Sequence, residues 1–223
     1  MNFSDIDPTA FRLSLQVATT ATLLCLVVGL PVTWWIWRSR PAWSRILSTL
    51  VLLPLVLPPT SIGYYLLFAL GRQSAVGRFL IDDLGIRVVF TWPGAAIAAA
   101  VVSLPLFVRT AQGGFEQVEP DIVDVARTLG RRPTVILARV VIPLAWPSLL
   151  AATLLSFARA FGEFGATVIV AGNIPGETQT VPVAIYDAVQ AGNDELANAI
   201  AFITLIFGFV VLGVTAVVLQ RVR

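Results

Sequence analysis

Apolar residues along this chain gather into five stretches, at 11–37, 46–70, 91–108, 143–161 and 197–219, with short polar segments between them. A hydrocarbon core about 30 Å thick takes roughly 20 apolar residues as a helix, so each stretch meets or approaches the length of a membrane span. The one long polar segment, residues 116–139, lies between the third and fourth stretches. The pattern therefore predicts an all-α membrane protein with five transmembrane helices and one substantial loop. The first stretch is too long for a cleaved leader, ends in tryptophans and is preceded by Asp5 and Asp7, so it is read as a mature helix.

Within the polar segment, Pro120 suits a first helical position, Gly130 the residue just past a helix end, and Pro133 the start of a second short helix. The segment reads as a helix-turn-helix hairpin. Ile122, Val125, Ala126 and Leu129 share one face of its first helix, while Asp121, Asp124 and Arg127 fall on others. Such an apolar stripe ringed by charge either packs on the protein's own helices or docks into a groove on another protein.

Composition narrows the chemistry. Of the 223 residues 57% are hydrophobic and 13% charged, the mean hydropathy is +0.85, and nothing marks a separate soluble domain, so residues 1–223 read as one domain with 11–219 in the membrane. The chain has no histidine, no lysine and one cysteine, Cys25. No catalytic or metal site and no disulfide is expected. A phosphate-binding loop needs its lysine, so any ATP used is hydrolysed elsewhere and no cofactor is expected on this chain. The arginines are dispersed through short loops and helix ends, which gives nucleic-acid binding no support.

Those arginines set the orientation. Arg38, Arg40, Arg45, Arg109, Arg127, Arg131, Arg132, Arg139, Arg221 and Arg223 fall on one side, and Arg12, Arg72, Arg78, Arg87 and Arg159 on the other. Ten against five places the polar loop in the cytoplasm, the amino terminus outside and the carboxy terminus inside. Trp34, Trp35, Trp37 and Trp43 cluster where the first span should leave the lipid.

Pro31, Pro54, Pro58, Pro59 and Pro105 fall inside the apolar stretches, and each removes a backbone hydrogen bond. The run PLVLPPTSIG predicts a discontinuous helix beside a pathway, with a plain packing kink as the alternative for any single proline. Few charges lie at membrane depth. Arg159 and Glu163 are four apart on one helix face, as a structural ion pair or as gate residues. Gly162 and Gly165 beside them allow close helix contact or local unwinding. Thr60, Ser61, Ser103 and Thr167 are further pathway candidates, offering hydroxyl donors to a passing anion. Segment 172–193 carries turn-forming NIPGET and a periodic Val181, Ile185 and Val189, which predicts a short helix at the outer mouth, either a lid or a docking surface.

The spacing Asp124-Val125-Ala126, three residues, Gly130, nine residues, Val140-x-Ile142-Pro143 resembles the E-A-A-x3-G-x9-I-x-L-P loop of bacterial ABC-importer permeases. Asp124 for glutamate, Val140 and Ile142 are conservative departures, and Val125 is bulkier than the family's alanine. Further on, RAFGEFGAT from Arg159 and GNIPGETQTVP from Gly172 are similar to molybdate permeases and more distantly to sulfate permeases. The runs LPLVLPPT and SLPLFVR extend the likeness from about Phe11 onward.

The resemblance implies a type I ABC importer permease (MetI-like) fold with a cytoplasmic coupling loop at 116–140. It implies that Asp124, Val125, Ala126, Arg127, Leu129, Gly130 and Pro143 serve the contact with a cytosolic ATPase. It also implies a homodimer in the bacterial inner membrane, two ATPase copies, a periplasmic oxyanion-binding protein, and alternating access for molybdate or tungstate. A sulfate or thiosulfate permease is the near alternative. A stand-alone secondary transporter would show deep coupling charges or a repeated half, and a membrane-embedded enzyme would show paired acids; neither pattern is present.

Overall fold

A computed structural model describes residues 7–220. Asp5, Arg221 and Arg223, used above, lie outside the described residues. Among the described residues eleven α-helices follow one another, with π-helical turns at Phe79–Asp83 and Leu137–Val141: α1 Pro8–Arg38, α2 Pro41–Val56, α3 Pro59–Leu70, α4 Ala75–Arg78, α5 Trp92–Glu116, α6 Pro120–Thr128, α7 Pro133–Ile136, α8 Ile142–Phe161, α9 Gly165–Ala171, α10 Val181–Gln190 and α11 Asp194–Gln220. Proline stands in the first turn of most of them, where its missing N–H costs nothing. Asp7 caps α1, its Oδ1 accepting the Thr9 N–H at 2.8 Å.

Among the described residues, α1, α5, the continuous run Pro133–Phe161 and Asp194–Gly213 of α11 are each long and apolar enough to cross a bilayer. The second stretch, expected at 46–70, is split: α2 and α3 meet at 106° across Leu57 and Pro58. The expected discontinuity is therefore present at the double proline. Pro31 and Pro105 do not break their helices, in keeping with the alternative left open for a single proline, and Pro54 stays inside α2. Pro105 is fully buried within the continuous α5.

The core is the contact of α1, α5 and α8. Val17, Ala18, Ala21 and Cys25 of α1 meet Ala95, Ala96, Ala99, Ala100 and Phe107 of α5, with Ala152, Ala160 and Phe161 of α8 closing the cluster. Rows of alanine let backbones approach closely, which is the main source of helix affinity where no water is displaced. On the far side α9 packs on α3: a Cβ on Gly63 would lie 2.9 Å from Ala166 Cα, so only glycine permits this separation. The expected outer helix is α10, seated on α1 through the Val181 N–H, which donates to Ser14 Oγ at 2.7 Å.

Candidate functional site

The loop after α5 forms the expected hairpin with one correction. Helix α6 ends at Gly130, whose φ of +70° only glycine adopts freely, and whose N–H donates to Arg127 O at 2.9 Å. Pro133, however, does not open a separate short helix. The chain runs from α7 through a π-helical turn at Leu137–Val141 directly into α8, so the fourth span begins ten residues earlier than Pro143. The π turn widens the backbone just where the Pro143 ring would strike the preceding carbonyls. Pro143 thus sits exposed inside a long helix rather than at its mouth.

Helix α6 turns two faces. Val123 is 2% exposed and, with Ala126 at its edge, joins Phe115, Val118, Ile136 and Val141 in a small core at this end of the bundle. The opposite face leaves Ile122, Val125 and Leu129 uncovered, Leu129 being 71% exposed. The stripe singled out from periodicity therefore does not pack on the protein's own helices, except for Ala126. Asp124 and Arg127 border it as an exposed ion pair at 2.8 Å.

The second locus lies at the other end of α8, which stops at Gly162. Glu163 is 2% exposed; its Oε2 is 2.7 Å from Arg159 Nη1, and its Oε1 accepts the Ala166 N–H at 2.8 Å. One carboxylate therefore both neutralises Arg159 and caps α9. The Thr167 hydroxyl donates to the carbonyls of Glu163 and Phe164. A Cβ on Gly165 would lie 3.1 Å from Pro59 Cβ and 3.3 Å from Thr60 N, so the break after α8 faces the break before α3.

Thr60 is exposed at that junction and Ser61 is half-buried one residue on. Thr167 is buried with its hydroxyl already engaged, and Ser103 is enclosed within α5 with no hydrogen-bond partner for its hydroxyl among the described residues. Four of the six pathway candidates, Thr60, Arg159, Glu163 and Thr167, thus converge on the α3 and α9 breaks, whereas Ser103 opens onto no surface of the single chain. Sequence reading missed the capping by Glu163, whose only signal was an acid three residues before Ala166. It also missed the Gln112 Nε2 donation to Ser48 Oγ at 3.2 Å, which joins α5 to α2 and leaves no pattern in a linear scan.

Residues 14–223 match the family model described as "Binding-protein-dependent transport system inner membrane component". The chain belongs to that family. It is accordingly a multi-pass inner-membrane transport component, a family without a catalytic role of its own. It is 40% identical over 213 residues to the molybdenum transport system permease protein ModB of Azotobacter vinelandii, covering 95% of this chain and 94% of that protein. It is likewise 40% identical over 199 residues to ModB of Escherichia coli (strain K12), covering 89% and 87%. A solved chain of the MetNI methionine ABC transporter in inward-facing conformations aligns with a TM-score of 0.74 at 17% identity, over 96% of this chain and 94% of that one. The fold is therefore the type I ABC importer permease fold that the sequence resemblance implied.

Proposed function

We propose that this chain is the membrane permease subunit of an ATP-driven importer of molybdate, with tungstate accepted as a close analogue. Two copies form one path, two cytosolic ATPases drive it, and a periplasmic binding protein delivers the anion. The amino terminus faces the periplasm and α6 the cytoplasm. Similarity to molybdenum permeases over nearly the full length of both proteins supports the substrate.

The uncovered Ile122, Val125 and Leu129 stripe carries the coupling role. Apolar side chains exposed at the polar end of a bundle, backed by an inward Val123, are built to meet a groove in a protein partner. Asp124 and Arg127 border that contact, Gly130 sets the turn behind it, and the π turn before Pro143 connects it to the fourth span. The apolar residues left exposed on α2, α3 and α11 supply surface for lipid and for a second copy. Molybdate is a hydrated dianion that hydrocarbon excludes, so the path opens by movement rather than by a fixed pore, and the breaks at α3 and α9 are where the helices yield. The absence of lysine supports placing ATP hydrolysis in the partner.

The test is uptake of labelled molybdate into proteoliposomes holding this chain and the ATPase, with the delivery protein outside. Uptake that requires both ATP and the ATPase is expected. Accumulation indifferent to either would remove the reading, and ATP-driven uptake of sulfate but not molybdate would replace its substrate.

A further inference from the structure

At the end of the bundle opposite α6, the first turns of α1, the entry to α5 and the loop after α9 enclose a cleft of about 590 Å³. Arg12, Arg87, Thr9 and Gln16 line it, and Glu177 is the acid on its wall. Two cations against one anion leave it with a formal charge of +1. Among the described residues neither Arg12 nor Arg87 takes part in an ion pair, although Arg72, Arg127 and Arg159 all do. The start of α5, which no side chain caps, opens onto the same cleft through Thr91 and Trp92 and adds the positive end of its dipole.

Cationic side chains left without partners in a concave site are an attraction for anions, because a cleft concentrates their field. The size decides what kind of anion. At about 30 Å³ per water, the space holds on the order of 20 waters, so an oxyanion enters with much of its hydration shell. Exposed guanidinium groups acting through water bind weakly, which suits a place that must give its ligand up again.

The geometry points to a receiving site for a hydrated tetrahedral oxyanion in this cleft, drawn by Arg12 and Arg87 and moderated by Glu177. The inference deepens the importer reading and rests on it for the direction of approach: the cleft lies a full α5 length, roughly 37 Å at 1.5 Å per residue, from the α6 stripe and so faces the side of delivery. An anion released at the mouth is retained there until the breaks at α3 and α9 open.

The experiment titrates sodium molybdate, sulfate and phosphate into the purified permease and ATPase complex in lipid discs, without delivery protein, following tryptophan fluorescence, since Trp92 lines the cleft. Saturable binding on the order of millimolar is expected, weakened about threefold by Arg12→Gln or Arg87→Gln and about tenfold by both. Glu177→Gln is expected to tighten it about threefold, a change of opposite sign that a merely structural role would not produce. Unaltered melting of the complex checks that the variants fold.

Binding that the double variant leaves unchanged overturns the site. So does a double variant that binds anion normally but no longer associates with the delivery protein, which would make these arginines a protein-docking surface. Saturable binding of sulfate without molybdate would sustain the cleft while removing the molybdate reading. ATP-driven molybdate uptake by a complex that shows no saturable oxyanion binding would do the reverse.

Discussion

Arg159 Nη1 lies 2.7 Å from Glu163 Oε2, while the second oxygen of the same carboxylate accepts the Ala166 N–H, so a single acid joins the end of α8 to the start of α9. Glu163 is enclosed and the Arg159 side chain remains 32% exposed, which makes the acid the costlier partner to strand or remove. The relation also explains why the chain turns here: Gly162 ends one helix, and the carboxylate satisfies an orphan N–H at the head of the next.

Glu163→Ala should therefore lower the stability of the detergent-solubilised protein by about 1.5–3 kcal/mol, the scale of a charged hydrogen bond left unmade. Glu163→Gln, which keeps an acceptor for Ala166 N–H, should lose less. The double replacement Arg159→Met with Glu163→Met should melt above Glu163→Met alone, because it leaves no unpaired charge. Thermal unfolding of the four variants checks the ranking, and equal losses for Ala and Gln would contradict the capping role.

Val125→Asp and Leu129→Arg should abolish ATPase association and leave the melting of the permease alone within about 0.5 kcal/mol, as expected for exposed sites. Val123→Asp, two positions before Val125 on the buried face, should instead destabilise the permease itself by burying an unpaired charge. Asp124→Arg should weaken association through reversed charge at the rim, since the exposed pair it breaks adds little stability. Pull-down of the ATPase beside a melting curve separates the two classes.

Gly130→Ala meets open space, so its only penalty is the left-handed backbone, about 1–2 kcal/mol. Gly130→Pro is more severe, since it demands a negative φ and deletes the N–H bonded to Arg127 O. The expected outcome is loss of ATPase coupling with the helical circular dichroism retained. Normal uptake by the proline variant would contradict the coupling role of the hairpin.

Gly63→Ala should force α3 away from α9 and cost about 1–3 kcal/mol, the range for overpacking a tight contact. Gly113→Ala, within α5 where the added methyl meets nothing, should be neutral or stabilise by about 0.5–1 kcal/mol through helix propensity. Melting temperatures moving in the same direction would show that the α3 and α9 contact is looser than the structure has it.

Much of the site was legible in the chain because local rules govern it. Pro120, Gly130 and the 3.6-residue spacing of α6 are decided by neighbours a few positions apart, and so is the helix break at Pro58–Pro59. The extent of the fourth span was not legible, because Pro143 reads as a start signal and only the π turn before it lets the helix continue from Pro133. Ser103 was selected as a hydroxyl in a span, but whether a hydroxyl meets a path or a neighbouring helix depends on contacts far apart in sequence.

The order of apolar and polar segments by itself determined that this is a helical membrane protein with a hairpin between its third and fourth spans, since the bilayer imposes helix length and backbone satisfaction on any sequence. Tertiary structure alone decided which face of α6 stays bare, that α5 is central, and that Arg12 and Arg87 share one cleft. Those outcomes follow from packing between segments distant in the chain, where side-chain volume and approach distance, rather than periodicity, select the arrangement.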